Sequence, residues 1–366
     1  MGRSTGRVLP GGVGLLCLGW FVGLGFVWLV WLVGFAWCEY GAGCGVRFSG
    51  LSTSLSHIPS AEKPRVFIET YGCSFNVSDG EVMAGLLARE GFALVDSPED
   101  ADAVIVNSCT VKDQTWRELK KRIAALERLS GADAAKANEP AVCVKGEDST
   151  FPEALGPKVI LAGCAPRVAE QSREFPEISQ LGPNNLAEVP DIVRRTLGGE
   201  RLVRTDVRHD VERLTLPVRR RNARVEIVPI SKGCLGSCSF CQTVIARGRL
   251  RSFGVDQIVD KITAAVDEGV TQVWLTSQDC GAYGLDIGSN LPALMRRVAE
   301  IPGNFMVRVG MANPDLIWLC LDEFAEAIAH PRFYQFAHIP LQAGSNSVLA
   351  DMRRLYTVEQ FEKICN

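Results

Sequence analysis

The sequence has no excess of positive charge that would attract nucleic acid to its whole surface. Its 39 Lys and Arg residues are outnumbered by 42 Asp and Glu residues, and the formal net charge is −3. Net charge sets the long-range attraction of a protein to polyanions. Any contact with a nucleic acid must therefore come from a local group of basic residues.

Charged residues are absent from Val8 to Cys38, and residues 14–37 are almost wholly apolar. About 20 apolar residues span a bilayer, whereas the apolar core of a signal peptide has about 7–15. Residues 11–37 therefore predict an apolar helix that serves as an uncleaved membrane anchor. A buried core helix and a misassigned start of translation are the alternatives. Residues 1–63 form this apolar segment and a Gly/Ser-rich linker.

The charges around this segment leave its orientation open. Arg3 and Arg7 precede it, so the positive-inside rule places the rest of the chain on the lumenal side. The cysteine chemistry described below instead requires a reducing compartment. We give the cysteines more weight and expect a cytoplasmic protein, attached to the cytosolic face of the endoplasmic reticulum membrane where residues 11–37 act as an anchor.

The sequence also lacks the second half of a zinc site. Cys234, Cys238 and Cys241 form a C-x3-C-x2-C motif, and no second C-x2-C or H-x3-H pair follows them. Structural zinc sites usually close with a fourth protein ligand. We call these three cysteines the loop triad.

Three thiolates on one short loop can hold three irons of a [4Fe–4S] cluster and leave the fourth iron open. An open iron can bind S-adenosylmethionine, whose reductive cleavage starts radical chemistry. A three-Cys zinc site and unpaired core thiols are the other interpretations of the loop triad. The sequence favours the iron–sulfur cluster.

Residues 64–198 alternate between short apolar runs and amphipathic segments, which indicates a small α/β sandwich. A helix is predicted to open at Ser78 or Asp79. Residues 131–157 have no apolar period and are interpreted as an inserted surface loop. Three runs predict buried parallel strands: Arg65–Thr70, Ala103–Asn107 and Val159–Ala162.

Cys73, Cys109 and Cys164, which we call the strand triad, each follow one of these predicted strands. The carboxyl ends of parallel strands meet at one edge of a sheet, where ligands bind. The strand triad therefore predicts a second [4Fe–4S] cluster with one open iron. Three unrelated core cysteines are the alternative, since Cys is often buried. The seven other cysteines are interpreted as structural or incidental: Cys17, Cys38, Cys44, Cys143, Cys280, Cys320 and Cys365.

From residue 225 onward, strands and helices alternate again, after a basic linker at 199–224. Four βα units in a row predict a partial β/α barrel or an open parallel sheet. Four units cannot close an eight-stranded barrel, so we expect the barrel to be incomplete and the sequence to be truncated. The predicted strands are 225–230, Gln272–Ser277, Phe305–Met311 and Phe333–Leu341.

The order of the strand triad, the loop triad and a partial barrel resembles the radical S-adenosylmethionine methylthiotransferases. The sequence is most similar to their eukaryotic and archaeal branch, which acts on N6-threonylcarbamoyladenosine in tRNA. Bacterial enzymes for isopentenyladenosine typically have Gln-Met-Asn after the first Cys, where this chain has Ser74. The matching segments include Tyr71–Ser74, Ser78–Glu81, Asn107–Lys112, Ala162–Cys164, Gly233–Leu235, Ala246–Gly248, Trp274–Ser277, Gly281–Gly284, Asn290–Pro292 and His338–Pro340.

The resemblance implies a methylthiotransferase domain at 64–198 and an incomplete radical S-adenosylmethionine domain at 225–366. It implies two [4Fe–4S] clusters and S-adenosylmethionine as cofactors, with sulfur insertion at C2 of adenine 37 followed by methylation. It also implies a separate electron-donor reductase, a sulfur donor and the tRNA anticodon loop as partners. The family has further barrel units and a small β-barrel tRNA-binding domain, and neither is present in this sequence.

Polar residues at the barrel edge are the predicted contacts for S-adenosylmethionine. Turn and cap residues would have the same composition, and His338 could equally be a core histidine. Two basic groups are candidates for tRNA phosphates. The predicted cofactor contacts are Ser277, Gln278, Asp279, Arg308, His338 and Gln342, and the predicted tRNA contacts are Arg219, Arg220, Arg221, Arg247, Arg249 and Arg251.

Two other functions remain open. One keeps the reaction and changes the substrate to isopentenyladenosine in tRNA or to a ribosomal protein. The other is a membrane-anchored iron–sulfur fragment that binds tRNA without turnover.

Overall fold

The computed structural model describes residues 63–110, 113–136, 156–206 and 213–366. The predicted anchor at 11–37 and most of the predicted insertion lie outside these ranges. Ala61–Asn366 form one compact unit. No helix in the described ranges is long and apolar enough to cross a membrane.

The first half of the described chain folds around a six-stranded parallel sheet with the order β2-β1-β3-β4-β5-β6. The three predicted strands are confirmed as β1, β3 and β4. The strands are β1 (Arg65–Thr70), β2 (Ala93–Leu94), β3 (Ala103–Ser108), β4 (Lys158–Gly163), β5 (Ser179–Leu181) and β6 (Val203–Arg204). The helices are α1 (Ser74–Arg89), α2 (Asp113–Lys136), α3 (Ala169–Arg173) and α4 (Val189–Leu197).

Apolar residues on both faces of β3 explain why this sheet is covered on each side. Ala103 and Ile105 pack with α1 and α4, whereas Val104 and Val106 pack with α2 on the opposite face. Successive side chains of a strand point to opposite faces, so a continuous apolar run requires two apolar neighbours. The predicted α/β sandwich is the arrangement that satisfies this requirement.

Two boundaries differ from the sequence predictions. The helix expected to open at Ser78 or Asp79 begins at Ser74 instead, with Cys73 at its N-cap in an extended conformation. Ser78 and Asp79 are buried inside the helix, where they bond to other segments. The predicted insertion at 131–157 also starts too early, because α2 continues to Lys136.

The second half of the described chain contains the parallel sheet β11-β10-β7 and a short antiparallel pair, β8-β9. Its apolar core includes Ile258 and Ile262 from one helix and Leu294 and Met295 from the next. The strands are β7 (Val225–Pro229), β8 (Ser231–Lys232), β9 (Arg251–Ser252), β10 (Gln272–Thr276) and β11 (Met306–Val309). The helices are α5 (Thr243–Arg247), α6 (Val255–Asp267), α7 (Leu291–Ala299), α8 (Pro314–Trp318), α9 (Leu321–Ile328), α10 (Asn346–Asp351) and α11 (Val358–Cys365).

The predicted fourth strand at Phe333–Leu341 is wrong. Phe333 makes a single parallel bridge with Val307, and the chain then leaves the ladder. The amide of Phe336 donates to the carbonyl of Tyr334 at 2.7 Å, which is a tight turn. A turn of this kind uses the backbone groups that a longer ladder would need.

Candidate functional site

The strand triad lies at the carboxyl ends of three neighbouring parallel strands. Cys73 comes three residues after β1, and Cys109 and Cys164 directly follow β3 and β4. These strands are adjacent in the order β1-β3-β4. The structure therefore brings together three cysteines that are up to 91 residues apart in the chain.

The Asn76 side chain joins the loops that carry the strand triad. Its Oδ1 atom lies 3.7 Å from Cys73 Sγ and 3.9 Å from Cys164 Sγ. Its Nδ2 donates to the carbonyls of Tyr71 at 2.9 Å and Ser108 at 2.8 Å. The thiols of Cys73 and Cys164 thus face the same amide oxygen. The amide nitrogen holds the backbone of Tyr71, before Cys73, and of Ser108, before Cys109.

Two glycines let the backbone approach these thiols closely. Gly72 has φ +111°, and a Cβ there would lie 2.7 Å from Cys109 Cβ and 3.1 Å from its Sγ. Gly163 has φ +86°, and a Cβ there would lie 2.5 Å from both Asn107 Oδ1 and the carbonyl of Ser108. Both positions need the left-handed conformation and the missing side chain of glycine.

The loop triad lies on the segment between β8 and α5. A Cβ on Gly236 would lie 3.4 Å from Cys234 Sγ and 3.5 Å from Cys238 Sγ, so the loop wraps around the glycine backbone. The amide of Cys234 donates to the carbonyl of Gly248 at 3.2 Å. The side chain of Ser239 donates to the carbonyl of Asp351 at 2.9 Å, which ties the loop to α10.

Backbone amides also donate to two sulfurs of the loop triad. Gly236 N donates to Cys234 Sγ at 3.2 Å, and Thr243 N donates to Cys241 Sγ at 3.4 Å. Such bonds favour a thiolate. Burial acts in the opposite direction and raises the pKa of Cys234 to about 11, as it does for Cys164 in the strand triad. Metal binding must therefore displace protons from these buried thiols.

Each triad supplies three thiols, which is the donor type that binds the irons of a [4Fe–4S] cluster. In the described ranges, no three His, Cys, Asp or Glu side chains are arranged to bind one metal ion. A [4Fe–4S] cube distributes its irons over separate corners, each bound by its own thiolate, so its ligands need not converge on a point. The donor set of three thiols, with glycine backbone beside each triad, is consistent with a cube.

Two hydroxyls connect the start of α1, beside the strand triad, to the end of β10 in the second sheet. Ser74, the residue after Cys73, has its Oγ 2.7 Å from Oγ1 of Thr276, the last residue of β10. Ser78 Oγ donates to the carbonyl of Ile227 in β7 at 3.4 Å. The helix that starts at the strand triad therefore packs against the carboxyl end of the second sheet.

Arg247 belongs to a buried ion group with Asp79 and Arg213. Its Nη2 donates to Asp79 Oδ2 and to Asn76 Oδ1, both at 2.7 Å. Arg213 Nη2 forms an ion pair with the other oxygen of Asp79 at 2.7 Å, and the guanidiniums of both arginines lie over the ring of Phe75. Burial lowers the pKa of Arg247, but the Asp79 carboxylate and the thiols of Cys164 and Cys73 together more than offset this and raise it.

This burial corrects one predicted tRNA contact. Only 6% of Arg247 is exposed, and its guanidinium is occupied by Asp79 and Asn76. A phosphate contact requires an accessible cation, so Arg247 is not available for one in this structure. The sequence showed a basic residue near the loop triad but not that it points inward.

The other basic candidates differ in accessibility. Arg249, Arg251, Arg219 and Arg221 are exposed. Arg220 is half-buried and forms ion pairs with Glu226 and Glu268. Its charge is therefore already balanced, which makes it a weaker phosphate ligand than its neighbours.

Three of the predicted cofactor contacts, Ser277, Gln278 and Asp279, directly follow β10. Ser277 Oγ lies 2.6 Å from Ser231 Oγ, and both amide atoms of Gln278 are buried without a hydrogen-bond partner among the described residues. Asp279 is 2% exposed, and its carboxylate accepts from Gly281 N at 3.0 Å and from Asn313 Nδ2 at 2.6 Å. Burial raises the pKa of Asp279.

The other three predicted cofactor contacts are Arg308 in β11 and His338 and Gln342 in the segment between α9 and α10. Arg308 stands over the ring of Trp274 with 5.4 Å between the guanidinium carbon and the ring centroid. His338 is exposed, and its carbonyl accepts from Ala312 N at 3.0 Å. Gln342 is exposed with φ 71°. The buried core histidine considered from the sequence is therefore wrong for His338.

Sequence reasoning missed the residues that surround the strand triad. Asp79 lies in a matching segment and Asn76 lies between two of them, but nothing in their spacing assigned them a contact. Arg213 lies in a stretch without a motif, and no signal in the sequence pointed to it. Its contact with Ser78 Oγ, at 3.2 Å, joins residues 135 positions apart.

Comparisons with known proteins agree with the resemblance. Residues 65–180 match the model of "Uncharacterized protein family UPF0004", and residues 228–366 match the Radical SAM superfamily. A protein of Archaeoglobus fulgidus named "Probable threonylcarbamoyladenosine tRNA methylthiotransferase" is 43% identical over 303 residues, covering 82% of this chain and 64% of the relative. The proteins of Homo sapiens and Xenopus laevis named "Threonylcarbamoyladenosine tRNA methylthiotransferase" are each 38% identical over 316 residues.

These two matches each cover 84% of this chain. The chain spans about half of the length of the two vertebrate relatives: 50% of the Homo sapiens protein and 52% of the Xenopus laevis protein. A solved structure of the radical S-adenosylmethionine methyltransferase TsrM from Kitasatospora setae, with cobalamin and a [4Fe–4S] cluster bound, has a TM-score of 0.51 at 16% identity. That match covers 83% of this chain and 65% of the other. At this identity the likeness concerns the fold alone. The predicted similarity to the eukaryotic and archaeal branch is confirmed.

Proposed function

We propose that this chain, which matches the Radical SAM superfamily over residues 228–366 and is similar to the threonylcarbamoyladenosine tRNA methylthiotransferases, adds a methylthio group to N6-threonylcarbamoyladenosine at position 37 of tRNA. The observation that carries the proposal is the position of the two triads. The strand triad follows the carboxyl ends of β1, β3 and β4, the loop triad follows β7 and β8, and the Ser74–Thr276 hydroxyl pair joins the segment of the strand triad to the end of β10.

In this proposal each triad holds one [4Fe–4S] cluster. When bound, the cluster of the loop triad supplies an electron to S-adenosylmethionine, and that of the strand triad supplies the site for the transferred sulfur. Gly236 N and Thr243 N donate to sulfurs of the loop triad and hold these side chains in place. In the strand triad, the thiols of Cys73 and Cys164 both face Asn76 Oδ1, which accepts from them.

The residues that follow β10 are the proposed contacts of S-adenosylmethionine. The buried amide of Gln278 has donor and acceptor atoms that the described residues leave unused, and a ligand would satisfy them. Ser277 lies beside it, and Asp279 orders the backbone of the turn through Gly281 and Asn313. Arg308, His338 and Gln342 complete the proposed set.

The exposed arginines Arg249 and Arg251 are the proposed phosphate contacts for the anticodon loop, with Arg219 and Arg221 as a second group. Arg249 and Arg251 follow α5, and the backbone amides of Arg219 and Arg221 donate to Glu81 in α1. Arg side chains bind phosphates bidentately, and sequence-specific RNA recognition commonly uses unstacked bases of a single-stranded loop. The proposal also requires an electron-donor reductase and a sulfur donor as partners.

Nucleoside mass spectrometry tests the substrate. The full chain is expressed in a strain that lacks its own threonylcarbamoyladenosine methylthiotransferase, and its tRNA is digested and analysed. We expect the methylthio derivative of threonylcarbamoyladenosine, and we expect Cys234→Ala and Cys73→Ala each to abolish it. A methylthio group found instead on isopentenyladenosine or on a ribosomal protein would replace this substrate with that one.

A second assay separates the enzyme from a non-catalytic iron–sulfur fragment. The purified chain is reconstituted anaerobically with iron and sulfide and mixed with S-adenosylmethionine and dithionite. The proposal requires 5′-deoxyadenosine as a product, retained in Cys73→Ala and lost in Cys238→Ala. Iron bound without any 5′-deoxyadenosine from the unmodified chain would favour tRNA binding without turnover.

A further inference from the structure

The buried ion group next to the strand triad carries an excess of positive charge. Asp79 contributes one negative charge, and Arg213 and Arg247 contribute two positive charges. The exposed fraction is 0% for the side chain of Asp79, 3% for Arg213 and 5% for Arg247. Burying an unbalanced cation is costly, so one net positive charge in this place needs a compensating partner.

Arg247 reaches the strand triad through one intermediate atom. Its Nη2 donates to Asn76 Oδ1 at 2.7 Å, and the same oxygen lies 3.7 Å from Cys73 Sγ and 3.9 Å from Cys164 Sγ. Because an amide oxygen can accept from a guanidinium but not from a thiolate, Arg247 fixes which end of Asn76 faces the sulfurs. The nitrogen end is then directed to the carbonyls of Tyr71 and Ser108.

Arg213 provides a natural comparison with Arg247. It binds the same carboxylate at the same 2.7 Å distance and lies over the same Phe75 ring. Its second contact is Ser78 Oγ at 3.2 Å, whereas the second contact of Arg247 is Asn76. The two arginines therefore share a structural role, and Arg247 alone of the pair contacts the amide that faces the thiols.

We propose that Arg247 is a positioning residue for the strand triad, whose guanidinium orients Asn76 and balances the negative charge of an iron–sulfur cluster held by Cys73, Cys109 and Cys164. Arg247 is the last residue of α5, directly after the loop triad. The strand triad is therefore completed by a residue from the segment that carries the other triad. This proposal rests on the proposed function, since it assumes a cluster on the strand triad.

The electrostatic consequence is a change in reduction potential. A cation buried close to a cluster stabilises the reduced form, which carries one more negative charge, and so raises the potential. Removing the cation should lower it. A purely structural role in holding α1 against the second sheet would affect both arginines alike.

The test uses the full chain with Cys234→Ala, Cys238→Ala and Cys241→Ala, so that a single cluster is observed. Its midpoint potential is measured by anaerobic redox titration followed by electron paramagnetic resonance, in this background and with Arg247→Met, Arg247→Lys or Arg213→Met added. We expect a lower potential for Arg247→Met, partial recovery for Arg247→Lys and a smaller shift for Arg213→Met. Equal shifts for the two methionine variants, or none, would overturn the proposal.

Asn76→Asp covers the case in which Arg247→Met does not fold. This near-isosteric change keeps the contact with Arg247 and places a negative charge beside the two sulfurs, so the potential should fall. An unchanged potential in Asn76→Asp would contradict the proposal. Absence of iron from the triple-alanine background would instead refute the cluster on the strand triad, and with it the proposed function, so the two failures are distinguishable.

Discussion

The hydroxyls of Ser74 and Thr276 lie 2.7 Å apart, although 202 positions separate the two residues. Ser74 follows the first cysteine of the strand triad, and Thr276 ends β10 with 3% of its surface exposed. The bond therefore fixes the carboxyl edges of the two sheets relative to each other. Any chemistry that uses both triads depends on this alignment.

A double-mutant cycle measures this link. Ser74→Ala and Thr276→Val each remove one hydroxyl, and the coupling free energy should be about 0.5–1.5 kcal/mol in urea unfolding. Thr276→Ser retains the hydroxyl and serves as the control, with most of the coupling preserved. If the effects of the two single changes simply add, the hydroxyls do not form a bond that stabilises the fold.

Gly72→Ala should disrupt the strand triad. The new Cβ would lie 2.7 Å from Cys109 Cβ on a backbone with φ +111°, and strain and overlap together should cost about 2–4 kcal/mol. The reconstituted variant should also lose about half of the bound iron, because only the loop triad remains intact.

Gly91→Ala is the matched control for Gly72→Ala. Gly91 has φ +87°, but a Cβ there has nothing within 4 Å, so it should cost only the conformational strain of about 1–2 kcal/mol. Its iron content, measured by colorimetric assay after reconstitution, should be that of the unmodified chain. Equal iron loss in both variants would show that the effect is not specific to the triad.

Asp79→Ala should be among the most destabilising single changes. It leaves Arg213 and Arg247 buried without their carboxylate, which typically costs about 3–5 kcal/mol. Glu90→Ala removes the exposed pair with Arg194 at 2.9 Å and should cost about 0–1 kcal/mol. Denaturant unfolding of both variants gives the comparison, and similar costs would mean that the buried ion group contributes no more than a surface pair.

Cys280 should resist alkylation in the folded chain well above neutral pH. Its thiol is 0% exposed, and burial, with a smaller effect from the neighbouring Asp279 carboxylate, raises its pKa to about 12. An ordinary thiol, with a pKa of about 8.5, is mostly thiolate at pH 9.5 and reacts. Pulsed iodoacetamide labelling with mass spectrometry should therefore find the exposed Cys365 labelled and Cys280 unlabelled at that pH.

The same raised pKa of Cys280 predicts a loss of stability in alkali. Between about pH 8.5 and 12 the unfolded chain releases this proton and the folded chain keeps it, so the free energy of unfolding falls as pH rises through that window. Below this window the contribution is fully present. Cys280→Ala should reduce the slope between pH 8 and pH 10 in urea titrations, and an unchanged slope would contradict the assignment.

Several features of this protein follow from the sequence alone. The strands β1, β3 and β4 contain the apolar runs Val66–Ile68, Ala103–Val106 and Val159–Ala162, and such runs are typical of strands in a sheet covered on both faces. The spacing of Cys234, Cys238 and Cys241 places three thiols on one loop whatever surrounds it. Because Cys73, Cys109 and Cys164 follow parallel strands, their position at a common edge is also a consequence of local pattern.

Local pattern was misleading where a residue's partner is distant. Ser78 and Asp79 have the composition of a helix start, yet they lie inside α1 because Arg213 and Arg247 bind them there. Residues 333–341 have the composition of a strand, but a turn at Phe336 limits the ladder to one bridge. A short polar residue can begin a helix or lie inside one, and an apolar run can form a strand or a turn. Only contacts with distant residues decide which of these structures forms.

The sequence by itself therefore determined the strands β1, β3 and β4 and the thiols that follow them. The tertiary structure decided that Arg247 points inward to Asn76 and that Ser74 meets Thr276. The physical reason is that burial and charge compensation are properties of an assembled interior. An arginine has the same position in the sequence whether its guanidinium faces a phosphate in solvent or a carboxylate inside the fold.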